Sequence, residues 1–99
     1  MEAALPDPTR FAGKVAIVSG AARGIGEGIA ARFVADGARV LLVDLIPEVE
    51  ATAARLGQPF LVKNVTDRDA GETIARAALD ALGRIDILVN NAGIGGSKR

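Results

Sequence analysis

Apolar residues in this chain fall into two alternating patterns. Short unbroken runs, Val15-Ala16-Ile17-Val18 and Val40-Leu41-Leu42-Val43, show no polar alternation, which marks strands covered on both faces of a parallel sheet. Between them, apolar positions recur every three to four residues, the spacing of an amphipathic helix. The pattern predicts a first strand at 15–19 and a second at 39–44. The helix between them spans 24–36, with Ile25, Ile29, Ala30, Phe33 and Val34 on one face and Gly37 as its stop. A second helix begins near Pro47, a residue favoured in a first turn, and ends at Gly57. A third strand follows at 59–63. Thr66-Asp67-Arg68-Asp69 reads as an N-cap with an acidic first turn, opening a helix that runs to Leu82. A fourth strand occupies 85–89. Residues 1–13, broken by Pro6, Pro8 and Gly13, read as a leader, with Phe11 packing onto the domain edge.

Strands separated by helices imply a parallel sheet with right-handed crossovers. The expected fold class is α/β: half of a Rossmann doubly wound sheet, four strands in the order 3-2-1-4 with three helices. The first two helices lie on one face and the third on the other. Residues 14–99 then form a partial dinucleotide-binding domain that stops after the fourth strand.

Composition narrows the partners. The 99 residues carry twelve acidic and twelve basic side chains, no cysteine and no histidine. Disulfides and thiolate or imidazole metal sites are excluded. No basic stripe favours nucleic acid, and no apolar run approaches the roughly 18 residues that cross a bilayer. The proline-broken, acidic start is unlike a signal peptide. A cytoplasmic location is expected.

The chemistry-bearing feature lies between the first strand and first helix. Gly20, Gly24 and Gly26 stand at spacing G-x-x-x-G-x-G. Strand, glycine turn and helix N-terminus together set free N–H groups and a positive dipole end against a phosphate. Gly20 permits a tight turn, and Gly24 and Gly26 permit close approach of backbone and pyrophosphate. The G-x-G-x-x-G fingerprint fails, because from Gly24 its third position falls on Ile29, and no G-K-[ST] completes a P-loop. Asp44 ends the second strand 18 residues after Gly26, near the spacing of about 20 expected for a ribose-binding acid. A carboxylate there accepts from both ribose hydroxyls and repels a 2′-phosphate, so NAD is expected over NADP. Arg23, a cation in the turn, favours the phosphate, but a flexible surface arginine gains less than a buried like-charge clash costs.

With these residues the chain resembles the N-terminal half of a short-chain dehydrogenase/reductase. Ser19-Gly20-Ala21-Ala22-Arg23-Gly24-Ile25-Gly26 matches that family's T-G-x-x-x-G-x-G turn, with serine replacing threonine, and Asn90-Asn91-Ala92-Gly93 matches its N-N-A-G motif. The match covers about residues 12–96, and the second motif disfavours a flavin or S-adenosylmethionine site. The resemblance implies a cofactor cradle of Gly20, Arg23, Gly24, Ile25, Gly26, Asp44, Asn64, Val65, Asn90, Ala92 and Gly93. Asn64-Val65 takes the place of an Asp-Val pair beside the adenine, where the Asn64 carbonyl oxygen accepts from the adenine amino group without charge. Asn90 to Gly93 line the ribose side, with Asn91 mainly tying neighbouring strands together.

The implied reaction interconverts an alcohol and a carbonyl by hydride transfer. In the family it relies on a tyrosine, a lysine four residues later and a serine, all downstream of N-N-A-G. This chain has no tyrosine, and only six residues follow Gly93, so Ser97 and Lys98 read as tail. Alone it is expected to bind cofactor without turning over substrate; a small-molecule substrate enters only if the missing half is supplied. A non-catalytic module completed by a partner chain is the alternative. The fourth strand, with Ile85, Ile87, Leu88 and Val89, leaves an apolar edge that invites self-association.

Overall fold

In the computed structural model, which describes residues 5–92, the unbroken apolar runs become the two central strands. Strand β1 (Val15–Ser19) is buried along its whole length, and β2 (Arg39–Asp44) is buried from Val40 to Val43. Both faces are covered, so polar alternation would bury unpaired groups. That requirement explains the sequence. Helix α1 (Gly24–Ala35) joins them, and α2 (Val49–Leu56) leads to the short edge strand β3 (Phe60–Val62). Helix α3 (Ala70–Leu82) then crosses to β4 (Ile87–Asn90).

All pairings are parallel and the order is β3-β2-β1-β4, as the sequence predicts. Ala16, Val18, Val40 and Leu42 point to the α1 and α2 side, where Ala30, Val49 and Ala53 meet them. Ile17, Leu41 and Val43 point to the other side, against Ala78 and Ile74 of α3. Each fully buried valine or leucine contributes roughly 1.5–3 kcal/mol relative to exposure. The register aligns Ser19 with Val43 and Asn90, and Asp44 with Val62. The carboxyl ends of all four strands therefore lie along one edge. The chain runs outward from β1 through β2 to β3, then returns to β1's other side. That reversal makes the end of β1 a topological switch point, where ligands bind in open α/β sheets.

Two predicted details differ. Ile25 does not share the buried face of α1: it is 74% exposed. It occupies the first helical turn, beyond the carboxyl ends of the strands, so no sheet lies beneath it. Helix α3 starts at Ala70 with Asp69 as its N-cap, three residues after the predicted N-cap Thr66. Thr66 spends both its N–H and its hydroxyl on the Asn64 side-chain oxygen, at 2.9 and 2.7 Å. The resulting Asx turn competes with helix initiation. The other boundaries move by one or two residues.

Residues 8–13 form turns, and they and the irregular residues 5–7 before them are pinned to the end of α1. Phe11 and Phe33 have ring centroids 5.2 Å apart. The buried carboxylate of Asp36 accepts from the Asp7 N–H at 2.8 Å and from Arg32 Nε at 3.1 Å. Chiefly through the Asp7 bond, with Arg32 and Arg10 adding to it, its pKa is held below the ordinary 3.8. Gly37, at φ +99°, lets the Pro8 carbonyl approach closer than a Cβ would allow. Leader residues 1–4 and the tail with Gly93, Ser97 and Lys98 lie outside the described residues. Among the described residues no helix is long and apolar enough to cross a membrane.

Candidate functional site

The glycine turn is fixed from three directions. Gly20 and Gly24, at φ +67° and +65°, reverse the chain in a conformation that side chains rarely adopt. From β2, the Val43 carbonyl accepts the Ala21 N–H at 3.1 Å, and Asp44 Oδ2 accepts the Ala22 N–H at 2.9 Å. From α2, buried Thr52 donates its hydroxyl to the Ala22 carbonyl at 2.6 Å. From the end of β4, Asn91 Nδ2 donates to the Gly20 carbonyl at 3.3 Å, and the Ala92 N–H donates to Ser19 Oγ at 3.2 Å. The two motifs, seventy residues apart, thus build one structure. Asn91 does tie neighbouring elements together, and Ser19 is the hinge of that tie: its hydroxyl also lies 3.2 Å from Asn90 Oδ1.

The glycines divide the work differently from the expectation. A Cβ on Gly26 would collide with the Gly20 carbonyl and stand 2.7 Å from Asn91 Nδ2. Gly26 is therefore required by the protein's own packing rather than by close approach of a ligand. Gly24 faces open space. Arg23 is the N-cap of α1 and makes no side-chain capping bond. Among the described residues, the N–H groups of Gly24, Ile25 and Gly26 have no acceptor. Three unpaired donors at a helix N-terminus suit an anion.

A cleft of about 610 Å³ opens along the strand ends from this turn. Gly20, Arg23 and Ile25 wall one end, with Asn91 and Ala92 beside them. Asp44, Leu45 and Ile46 form its middle, and Lys63 to Thr66 close the far end. The exposed Ile25 is explained by this position. Asp44 Oδ1 also accepts from its own Ile46 N–H at 3.3 Å. A carboxylate has about four lone-pair sites, so two remain for a ligand. Arg23 makes no ion pair among the described residues. Lys63 is held by Asp69 at 2.8 Å and Asp67 at 3.5 Å, which raise its pKa, Asp69 most.

Of the residues singled out in the sequence, Gly20, Arg23, Ile25, Asp44, Asn64, Val65 and Ala92 line this cleft. Gly24 and Gly26 are not among its lining residues but adjoin Ile25, which is. Asn90 does not line it: its side chain turns to Ser19 and borders a separate groove with Ile17 and Leu88. Gly93 lies outside the described residues. Thr52 was missed, because nothing local shows that a threonine in an alanine-rich helix reaches a carbonyl thirty residues away. Its place on α2's buried face, with Val49 and Ala53, is the available signal.

Residues 14–99 match the family model described as short chain dehydrogenase. The chain is 40% identical over 91 residues to a borneol dehydrogenase, mitochondrial, of Lavandula x intermedia, spanning 91% of this chain and 35% of the relative. It is 44% identical over 89 residues to the meso-2,3-butanediol dehydrogenase of Serratia marcescens, 86% of this chain and 36% of the relative. It thus spans about a third of the length of the curated relatives it matches. Among solved structures, a short chain dehydrogenase from Mycobacterium smegmatis superposes with TM-score 0.86 at 31% identity, over 95% of this chain and 42% of that one. The 3-ketoacyl-(acyl-carrier-protein) reductase from Brucella melitensis, complexed with NADH, gives TM-score 0.76 at 34% identity, over 79% and 34%. With both motifs joined in one site and the match spanning nearly the whole chain, the protein belongs to the short chain dehydrogenase family.

Proposed function

We propose that this chain holds a nicotinamide dinucleotide, NAD(H) in preference to NADP(H), for an oxidoreductase that interconverts an alcohol and a carbonyl. The observation that carries the reading is the pairing of three unpaired helix N-terminal N–H groups with a half-buried carboxylate across one cleft. The pyrophosphate belongs at Gly24, Ile25 and Gly26, with Arg23 beside it. The adenosine ribose hydroxyls belong at the free lone pairs of Asp44, where a 2′-phosphate would meet a like charge. The base lies past Asp44, between Leu45 and the Asn64-Val65 loop. Bound there, the nicotinamide would supply the hydride acceptor or donor.

The chain's own residues bind and orient. The Ala22, Thr52 and Asn91 contacts keep the turn open, and apolar Ile25 excludes water from one wall. The 99 residues include no tyrosine and no histidine, so the acid/base group of the reaction is assigned to sequence beyond them. Substrate identity belongs there as well. Titration with NADH and NADPH, followed by nicotinamide fluorescence, tests the reading. Saturable NADH binding with NADPH about tenfold weaker is expected from one like-charge contact in a half-solvated site. No binding of either would refute the function, and tighter NADPH would refute the role of Asp44.

A further inference from the structure

Ala22 is the joint between the carboxylate of Asp44 and the open N-terminus of α1, and it is held on both sides. Its N–H donates to Asp44 Oδ2 at 2.9 Å, and its carbonyl accepts the Thr52 hydroxyl at 2.6 Å. Before it, the Ala21 N–H is bonded to the Val43 carbonyl of β2 at 3.1 Å. After it, Arg23 is the N-cap of α1. A helical threonine ordinarily returns its hydroxyl to the carbonyl four residues back. Here that carbonyl, on Glu48, lies 3.4 Å away and already accepts the Ala51 and Thr52 N–H groups at 3.1 and 3.2 Å. The Ala22 carbonyl has no other donor among the described residues. The Thr52 proton therefore belongs to the turn. Ala22 and Thr52 are each 4% exposed, so water does not replace this contact.

We infer that Thr52, which does not line the cleft, is a positioning residue for the cofactor: its hydroxyl fixes the spacing between the phosphate-binding start of α1 and the ribose-binding carboxylate of Asp44. The inference rests on the dinucleotide reading above. Up to its N–H, Ala22 is carried by β2 and stays with Asp44. Beyond that point, among the described residues, the Thr52 bond is the one hydrogen bond that ties the Ala22 carbonyl, Arg23 and Gly24 to anything but α1 itself. Without it the buried carbonyl is left unpaired and turns toward another donor. The peptide unit it shares with Arg23 is planar, so Arg23 and the start of the helix turn with it. The free N–H groups of α1 and the free lone pairs of Asp44 both survive such a turn, but at a changed separation. That separation matters to a ligand that engages both ends at once, because the second contact gains from the fixed placement of the first. A ligand that reaches Asp44 alone is indifferent to it.

Thr52→Val keeps the shape of the side chain and removes the hydroxyl, whereas Thr52→Ser keeps the hydroxyl. NADH is titrated into the unmodified chain and both variants, with nicotinamide fluorescence as the readout. Adenosine, which carries the ribose and base without phosphate, is titrated into the same three chains and followed by amide chemical shifts. In Thr52→Val, NADH should bind about tenfold more weakly, the factor of one lost hydrogen bond, and Thr52→Ser should restore it to within about threefold. Adenosine affinity should differ by less than about threefold among the three chains. NADH affinity unchanged in Thr52→Val overturns the inference. So does an equal loss of adenosine, since Thr52 would then support Asp44 or the fold at large rather than the spacing. If Thr52→Val does not fold, the serine variant decides: NADH affinity kept supports the inference, and a loss of about tenfold with the hydroxyl in place overturns it. Failure of NADH to bind even the unmodified chain overturns the cofactor reading, and the inference with it.

Discussion

Asp44 has two structural bonds and two free lone pairs, and Asp44→Asn separates them. In the native chain Oδ2 serves the Ala22 N–H and Oδ1 serves the Ile46 N–H. An amide has one oxygen, so its NH2 must face one of those two donors. Keeping the shorter Ala22 bond leaves the Ile46 N–H opposed, at a cost of about 1 kcal/mol. For a domain of this size that lowers the melting midpoint by about 4–8 °C. The binding cost is larger. Two ribose hydroxyls lose a charged acceptor, and hydrogen bonds to a charge contribute about 1.5–3 kcal/mol each when well buried. At a half-exposed carboxylate the lower end of one such bond is the better guide, so NADH should bind about tenfold more weakly. NADPH should move the other way. Two unit charges about 5 Å apart repel by about 1.3 kcal/mol at the higher effective dielectric, near 50, of a half-solvated cleft, and the substitution removes that repulsion. The ratio of NADPH to NADH affinity should therefore rise by more than either change alone.

The assay pairs fluorescence titration of both cofactors with thermal unfolding, and Asp86→Asn is the control. Asp86 Oδ2 accepts the Val15 N–H at 2.8 Å, at the opposite end of β1 from the cleft. Its loss should lower the melting midpoint and leave both affinities intact. If Asp44→Asn changes NADH affinity less than about threefold while its melting midpoint falls, the carboxylate is a structural brace and its ribose role is wrong. If Asp86→Asn weakens NADH as much, the binding loss reports stability rather than contact.

Three further outcomes follow from particular contacts. Gly26→Ala places a methyl against the Gly20 carbonyl and Asn91; overpacking of this kind costs about 1–3 kcal/mol, and displacement of the turn should abolish NADH binding in the same titration. Asp36, held below its ordinary pKa by the Asp7 N–H and Arg32, stabilises the fold above the unfolded value of 3.8 and loses that contribution as pH falls through its folded pKa. Asp36→Asn should therefore flatten the acid limb of stability below about pH 4, measured by denaturant midpoints across pH. Leu88, 68% exposed on β4 beside Ile85, extends the apolar groove toward α3. Leu88→Glu should reduce concentration-dependent sedimentation of this chain while changing stability by less than about 0.5 kcal/mol.

How much of this was legible in the sequence depends on the range of each contact. β1 and β2 were read to the residue, because burial on both faces forces an unbroken apolar run and a polar residue ends it. Strand order followed from the strand–helix rhythm. The start of α3 was missed, although its cause is local: Asn64 and Thr66, two apart, spell the Asx turn that delays the helix. A helical projection placed Ile25 with the core residues, since periodicity gives direction around an axis but not where the sheet beneath stops. Asp36 and Thr52 hold partners 29 and 30 residues away, and no local pattern encodes such distances. The site divides in the same way. Both motifs could be found by spacing and the resemblance implied a tie through Asn91, but the Ser19 hydroxyl that joins the first motif to the second was not foreseen. Residue type likewise left Asn64 ambiguous, because an amide offers a donor and an acceptor. Only its neighbour decides which one a ligand meets. Thr66 occupies the Asn64 oxygen with both its N–H and its hydroxyl, which leaves the amide NH2 as the free group.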